Sequence, residues 1–168
     1  MTDKKFNRRS FVKKTTLGAG ALLTVPYSAQ AMVNVGSVKK LKLAVVGCGG
    51  RGTGAAVQAL RADNDVELVA MADAFPDRLE NSLKNITEEL NGEIKINVKE
   101  KNKFIGFNGF KKAIDISDVV ILASPPGFRP LHFEYAIENE KHVFMEKPVA
   151  VDAFGVRRVL KSAKLATQ

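Results

Sequence analysis

From Lys39 onward, short apolar runs alternate with stretches of helical period. Leu41-Lys42-Leu43-Ala44-Val45-Val46 predicts a buried strand, ended by glycines. Arg51 to Ala62 sets Ala55, Ala56, Ala59 and Leu60 at helical spacing. Val66 to Ala72 predicts the second strand, ended by Asp73, and a helix with Pro76 in its first turn runs to about Leu90. Residues 91–103 are polar and lysine-rich and read as a loop or a weak strand. Phe110 to Ile114 predicts a short helix, and Asp118 to Ala123 a buried strand closed by Ser124-Pro125-Pro126. Arg129 to Asn139 reads as helix, His142 to Met145 as strand, and Asp152 as the cap of a last helix reaching about Thr167. Strands separated by helices predict an α/β fold built on a parallel sheet.

The first 31 residues break this alternation. They run from a basic part (MTDKKFNRRSFVKKTT) through a short apolar part (LGAGALLTVPY) to Ala29-Gln30-Ala31, a small-x-small cleavage site. The apolar part is too short to span about 30 Å of hydrocarbon. Asn7-Arg8-Arg9-Ser10-Phe11-Val12-Lys13 resembles the twin-arginine signal, read by an export receptor. The expected organisation is a signal peptide over 1–31, a linker over 32–38 and one α/β domain over 39–168, exported to the periplasm.

Composition changes little else. The chain has 168 residues, 45% of them hydrophobic, which fits one globular domain and excludes wholesale disorder. The net charge of +8 hints at nucleic acid, but six basic residues against Asp3 alone place five of those charges in the leader. Three remain for the other residues, so no nucleic-acid partner is expected. A single cysteine excludes a disulfide framework, and His132 and His142 are too isolated for a metal cluster.

The chemistry gathers where the first strand ends. Gly47-Cys48-Gly49-Gly50-Arg51-Gly52 is G-x-G-x-x-G with a strand before it and a helix after it. Gly47 permits the tight turn, Gly49 lets backbone approach a pyrophosphate, and Gly52 allows close helix–strand packing. Amides at the helix start, beside Gly50, then face the phosphates. Asp73 lies 21 residues past Gly52 at the end of the second strand, placed to accept hydrogen bonds from ribose hydroxyls. A carboxylate there would also repel the 2′-phosphate of NADP, so NAD is the expected cofactor. Arg78 is the one nearby cation that could offset that repulsion. Arg51 is a candidate for a cofactor phosphate, and a solvated helix face accounts for it equally well. Cys48 reads as a turn filler, and both histidines as structural.

On these residues, on Asp118 to Pro126 (DVVILASPP), on His132 and on Lys141-His142-Val143-Phe144-Met145-Glu146-Lys147-Pro148, the chain resembles the Gfo/Idh/MocA family of glucose–fructose oxidoreductases and inositol dehydrogenases. The resemblance runs from about Lys39 to Lys164 and implies a doubly wound Rossmann domain. It implies that Lys147 of the Glu-Lys-Pro motif lies beside nicotinamide and substrate as a catalytic residue, with Glu146 holding it. Ser124, Pro125 and Pro126 would shape the wall beside the cofactor ribose. Hydride would pass between the nicotinamide and a carbinol carbon of a sugar or polyol, Lys147 polarising the oxygen.

Family members continue for roughly another domain. This chain stops at Gln168, without the Asp-x-x-x-His segment that carries the family's usual base. The expectation is the amino-terminal part of an enzyme, inactive alone and open to homo-oligomer formation. A glycosidase using transient oxidation by NAD and a non-catalytic dinucleotide-binding module are the alternatives.

Overall fold

The computed structural model describes residues 40–91 and 95–167. Five strands, β1 (Leu41–Val46), β2 (Val66–Asp73), β3 (Lys103–Ile105), β4 (Val119–Leu122) and β5 (His142–Met145), form a sheet in the order β3-β2-β1-β4-β5. Every neighbouring pair is parallel. Parallel strands need crossovers. These contain α1 (Gly50–Ala62), α2 (Pro76–Glu89), α3 (Gly109–Asp115) and α4 (Arg129–Glu138), and α5 (Ala153–Leu165) follows β5. This is the α/β Rossmann-type fold.

Helices on both faces explain why the buried parts of β1, β2 and β4 are continuous apolar runs (43–46, 68–72 and 120–122) rather than alternations. Leu43 and Val45 of β1 join Leu60 of α1, Leu68 and Met71 of β2, and Leu79 and Ile86 of α2 in one core layer. Ala44 and Val46, the intervening residues of β1, join Ala70, Ala72, Phe110, Ile114, Val120, Leu122 and Ala136 in the other. A one-residue slip of β1 would exchange its contributions to the two layers.

The predicted elements recur within a residue or two, with one difference. The third strand lies at Lys103–Ile105, at the far end of the stretch read as loop or weak strand. It is three residues long and flanks the sheet, so neither length nor alternation marks it. Before it, Ile96 makes an isolated parallel bridge to Leu68. Lys103 is held by Glu80 and Glu100, each within 3.0 Å. Asp152 caps α5 as expected, its Oδ1 accepting from the Gly155 amide at 2.7 Å. The expected signal over 1–31 and linker over 32–38 lie outside the described residues.

One consequence of strand order positions the site. From β1 the chain winds outward to β2 and β3, then returns to β4 on the other side of β1. Connections therefore leave the carboxyl ends of β1 and β4 in opposite directions, which opens a crevice there.

Candidate functional site

The glycine loop occupies that crevice. Gly47 has φ +95°, and a Cβ on it would come within 2.3 Å of the Ser124 amide nitrogen. Only glycine fits both the left-handed backbone and the contact. A Cβ at Gly52 would come within 2.0 Å of the Gly47 carbonyl oxygen, so α1 meets the loop backbone to backbone. Gly49 and Gly50 differ: nothing lies within 4 Å of a Cβ built on either. No protein contact demands glycine at those two positions.

Asp73 closes the loop from the β2 side. Its Oδ2 accepts from the Cys48 amide at 2.7 Å and its Oδ1 from the Phe75 amide at 3.0 Å. Each carboxylate oxygen keeps capacity for a further donor. Cys48 is buried, its Sγ 3.5 Å from the Ala72 carbonyl, and burial together with the Asp73 charge pushes its thiol pKa far up. It is a space-filling turn residue, not a thiolate.

Over this frame lies a cleft of about 470 Å³. Seven predicted site residues line it: Gly47, Gly49, Gly50, Arg51, Asp73, Ser124 and Pro125. Gly52 packs behind the loop, and Pro126 lies outside the lining. Phe75, Phe107, Phe110 and Phe128 supply apolar wall, with Arg78 and His132 also facing the space. The Phe107 and Phe128 rings stack 5.8 Å apart, although both are substantially exposed.

The Glu-Lys-Pro segment sits at the carboxyl end of β5. Glu146 is buried and pairs with Arg51, whose side chain is 76% exposed, across from the glycine loop. Lys147 is exposed and does not line the cleft. The carbonyls on either side of it are held by Arg129, which is not among the predicted site residues. Arg129 is buried; its Nε donates to the Ser124 carbonyl at 2.6 Å, and its Nη1 to the Glu146 and Pro148 carbonyls at 2.7 and 2.6 Å. Burial lowers its pKa, opposed by the nearby Glu146 charge. A signal did exist: a cation in a helix's first turn opposes the macrodipole and calls for a local reason.

His132, on the same helix, is packed as expected and also forms part of the wall. Its Nδ1 lies 3.0 Å from Ser124 Oγ, and its ring stacks on Phe110 with centroids 4.1 Å apart. Burial lowers its pKa from 6.5 to about 4. It is therefore neutral at pH 7 and fixes Ser124 rather than moving protons.

An open glycine-loop face, an acid at the end of β2 and a crevice at the strand-order reversal together define a dinucleotide-binding domain. The chain belongs to the Gfo/Idh/MocA family: residues 41–167 match the model of that oxidoreductase family's NAD-binding Rossmann fold. No curated protein matches the chain. Solved structures with the same fold include apo scyllo-inositol dehydrogenase from Lactobacillus casei, at 23% identity and TM-score 0.60, covering 78% of this chain and 35% of that one. Myo-inositol dehydrogenase from Lactobacillus casei in complex with NAD(H) and myo-inositol has 20% identity and TM-score 0.59, with 73% and 33% covered. The WlbA dehydrogenase from Bordetella pertussis, in complex with NADH and UDP-GlcNAcA, has 21% identity and TM-score 0.57, with 76% and 35% covered. The chain thus spans about a third of the length of these solved relatives. Likeness at such identities establishes the fold.

The residues present fit NAD. The unfilled space before Gly49 and Gly50 leaves room for backbone amides to meet a pyrophosphate, and the Asp73 carboxylate, lining the same cleft, is an acceptor of the kind ribose hydroxyls need.

Proposed function

We propose that this chain provides the NAD-binding part of an exported oxidoreductase acting on a sugar or polyol. The observation that carries the reading is the joining of the glycine loop to Asp73 under one cleft, with the Glu-Lys-Pro segment tied to the same loop through Arg51. NAD, when bound, supplies the acceptor for the substrate's hydride. The chain's own residues do the rest. Amides at the start of α1 face the phosphates, and Asp73 accepts from the ribose hydroxyls while its charge opposes a 2′-phosphate. Ser124 and Pro125 wall the cleft, and Glu146 is held between Arg51 and the Arg129 side. Lys147, next in sequence, is the residue assigned to the substrate oxygen, where a cation stabilises developing negative charge. Polyol and sugar-nucleotide ligands of the solved relatives support the substrate class.

The preference for NAD is a property of Asp73. One solved relative, the 3-ketoreductase KijD10 from Actinomadura kijaniata, is in complex with NADP, so the fold alone does not select. The test is a pair of titrations, NAD against NADP, on this chain and on Asp73→Ser. Wild type should favour NAD at least about tenfold, or ~1.4 kcal/mol, and the variant should narrow the gap. Equal wild-type affinities would remove Asp73 from the assignment.

Export rests on Arg8 and Arg9. Changing both to Lys should retain a reporter fusion in the cytoplasm, and undiminished export would refute the twin-arginine route. Phe144, Phe154 and Leu160, apolar yet exposed on β5 and α5, support self-association into a homo-oligomer.

A further inference from the structure

The guanidinium of Arg129 makes three hydrogen bonds to main-chain carbonyls and none to a side chain in the cleft. Two of the three acceptors, Glu146 and Pro148, are the immediate neighbours of Lys147 on either side. The third, Ser124, lies at the exit of β4, where its side chain faces the cleft. One rigid planar group thus ties the backbone around Lys147 to the wall of the cofactor cleft.

Holding this group in the interior is costly. An arginine in the first turn of α4 opposes the helix dipole, and burial disfavours its charge. A packing role alone would be met by an uncharged side chain. The fork geometry answers a different requirement, because only a guanidinium presents several donors in one fixed plane. The Glu146 carboxylate supplies the neighbouring charge that favours keeping Arg129 ionised.

We infer that Arg129 is a positioning residue: it sets the place of Lys147 relative to the cofactor cleft by clamping the carbonyls of Glu146 and Pro148 to that of Ser124. This rests on the assignment of Lys147 made above. Arg129 acts only through the backbone and touches neither cofactor nor substrate. Small displacements of a reacting group can cost about a hundredfold in rate, which is what such a clamp guards against.

The test compares the whole chain with Arg129→Lys, which keeps the charge but loses the planar fork, and Arg129→Gln, which loses both. Amide exchange is followed first without NADH. The Glu146 amide, which donates to the Leu122 carbonyl at 3.0 Å, should exchange about tenfold faster in the variants, while amides at the β1–β2 pairing should not change. A merely structural role would accelerate both sets together, and unchanged exchange in a folded variant would overturn the clamp. The second readout is the NMR signal of isotope-labelled lysine Cε, assigned by its loss in Lys147→Arg. NADH should shift the Lys147 signal in wild type. In Arg129→Gln the shift should fall to about half or less, with Arg129→Lys between, and NADH affinity should stay within about threefold. A full Lys147 response in both variants, or a wild-type signal that ignores bound NADH, would overturn the positioning role. Failure of the wild-type chain to bind NADH would instead remove the proposed function and leave the exchange result to judge the clamp. If Arg129→Gln does not fold, Arg129→Lys carries both measurements.

Discussion

Four glycines in one loop serve two different ends, and a single methyl group tells them apart. At Gly52 a Cβ would strike the Gly47 carbonyl at 2.0 Å, a backbone atom that cannot yield without moving the turn. Gly52→Ala should therefore destabilise the fold by about 2–3 kcal/mol, as overpacking does. At Gly49 the same methyl meets nothing within 4 Å. Gly49→Ala should cost about 1 kcal/mol or less, the loss of a favourable N-cap residue. It should nevertheless weaken NADH binding more than about tenfold, because the added group occupies the side a pyrophosphate must approach. Urea melts and NADH titrations of the two variants check this. If Gly49→Ala binds like wild type, the open face of the loop is not the phosphate site.

At the scale of elements, α4 organises the site. Its first turn carries Arg129, which grips three carbonyls, and its next residues bring His132 against Ser124 and Phe110. Little of this was legible beforehand. The glycine loop, Asp73, β1, β2, β4, β5 and the cap at Asp152 could be read because spacing and residue type there answer to local rules. β3 could not, since three edge residues among lysines carry no period. Arg129 and the cleft phenylalanines Phe107 and Phe128 escaped because their roles come from contacts between elements distant in sequence. His132 makes the packing of α4 sensitive to acid. Its folded pKa is about 4 against 6.5 unfolded, so burial favours the neutral form. That contribution is fully present above pH 6.5 and is lost progressively as pH falls towards 4. The full difference amounts to about 3 kcal/mol. Urea denaturation at pH 7 and at pH 4.5, on wild type and His132→Gln, isolates it: the gap between the two proteins should shrink at the lower pH. A gap independent of pH would show that His132 does not titrate in the way its burial dictates.

For the whole molecule, binding and stability are one quantity. A ligand that binds only the folded chain stabilises it by mass action, by about 2.7 kcal/mol at a hundredfold excess over Kd. For a domain of this size roughly 4 °C of Tm accompanies each kcal/mol. NADH at a hundred times its Kd should thus raise Tm by about 10 °C. NADPH at the same concentration, if bound tenfold more weakly because of the Asp73 charge, should contribute about 1.4 kcal/mol less and raise Tm by roughly half as much. In Asp73→Ser the two shifts should converge. That variant also removes the acceptor of the Cys48 and Phe75 amides, so its own Tm without ligand should fall. The two effects separate cleanly. Loss of the loop anchor lowers the unliganded baseline, whereas loss of discrimination appears only as the difference between dinucleotides. If the baseline falls while the NADH–NADPH difference stays at its wild-type value, Asp73 organises the loop but does not choose the cofactor; Arg78, which lines the same cleft, cannot account for such a preference, because its cation would attract a 2′-phosphate rather than repel it.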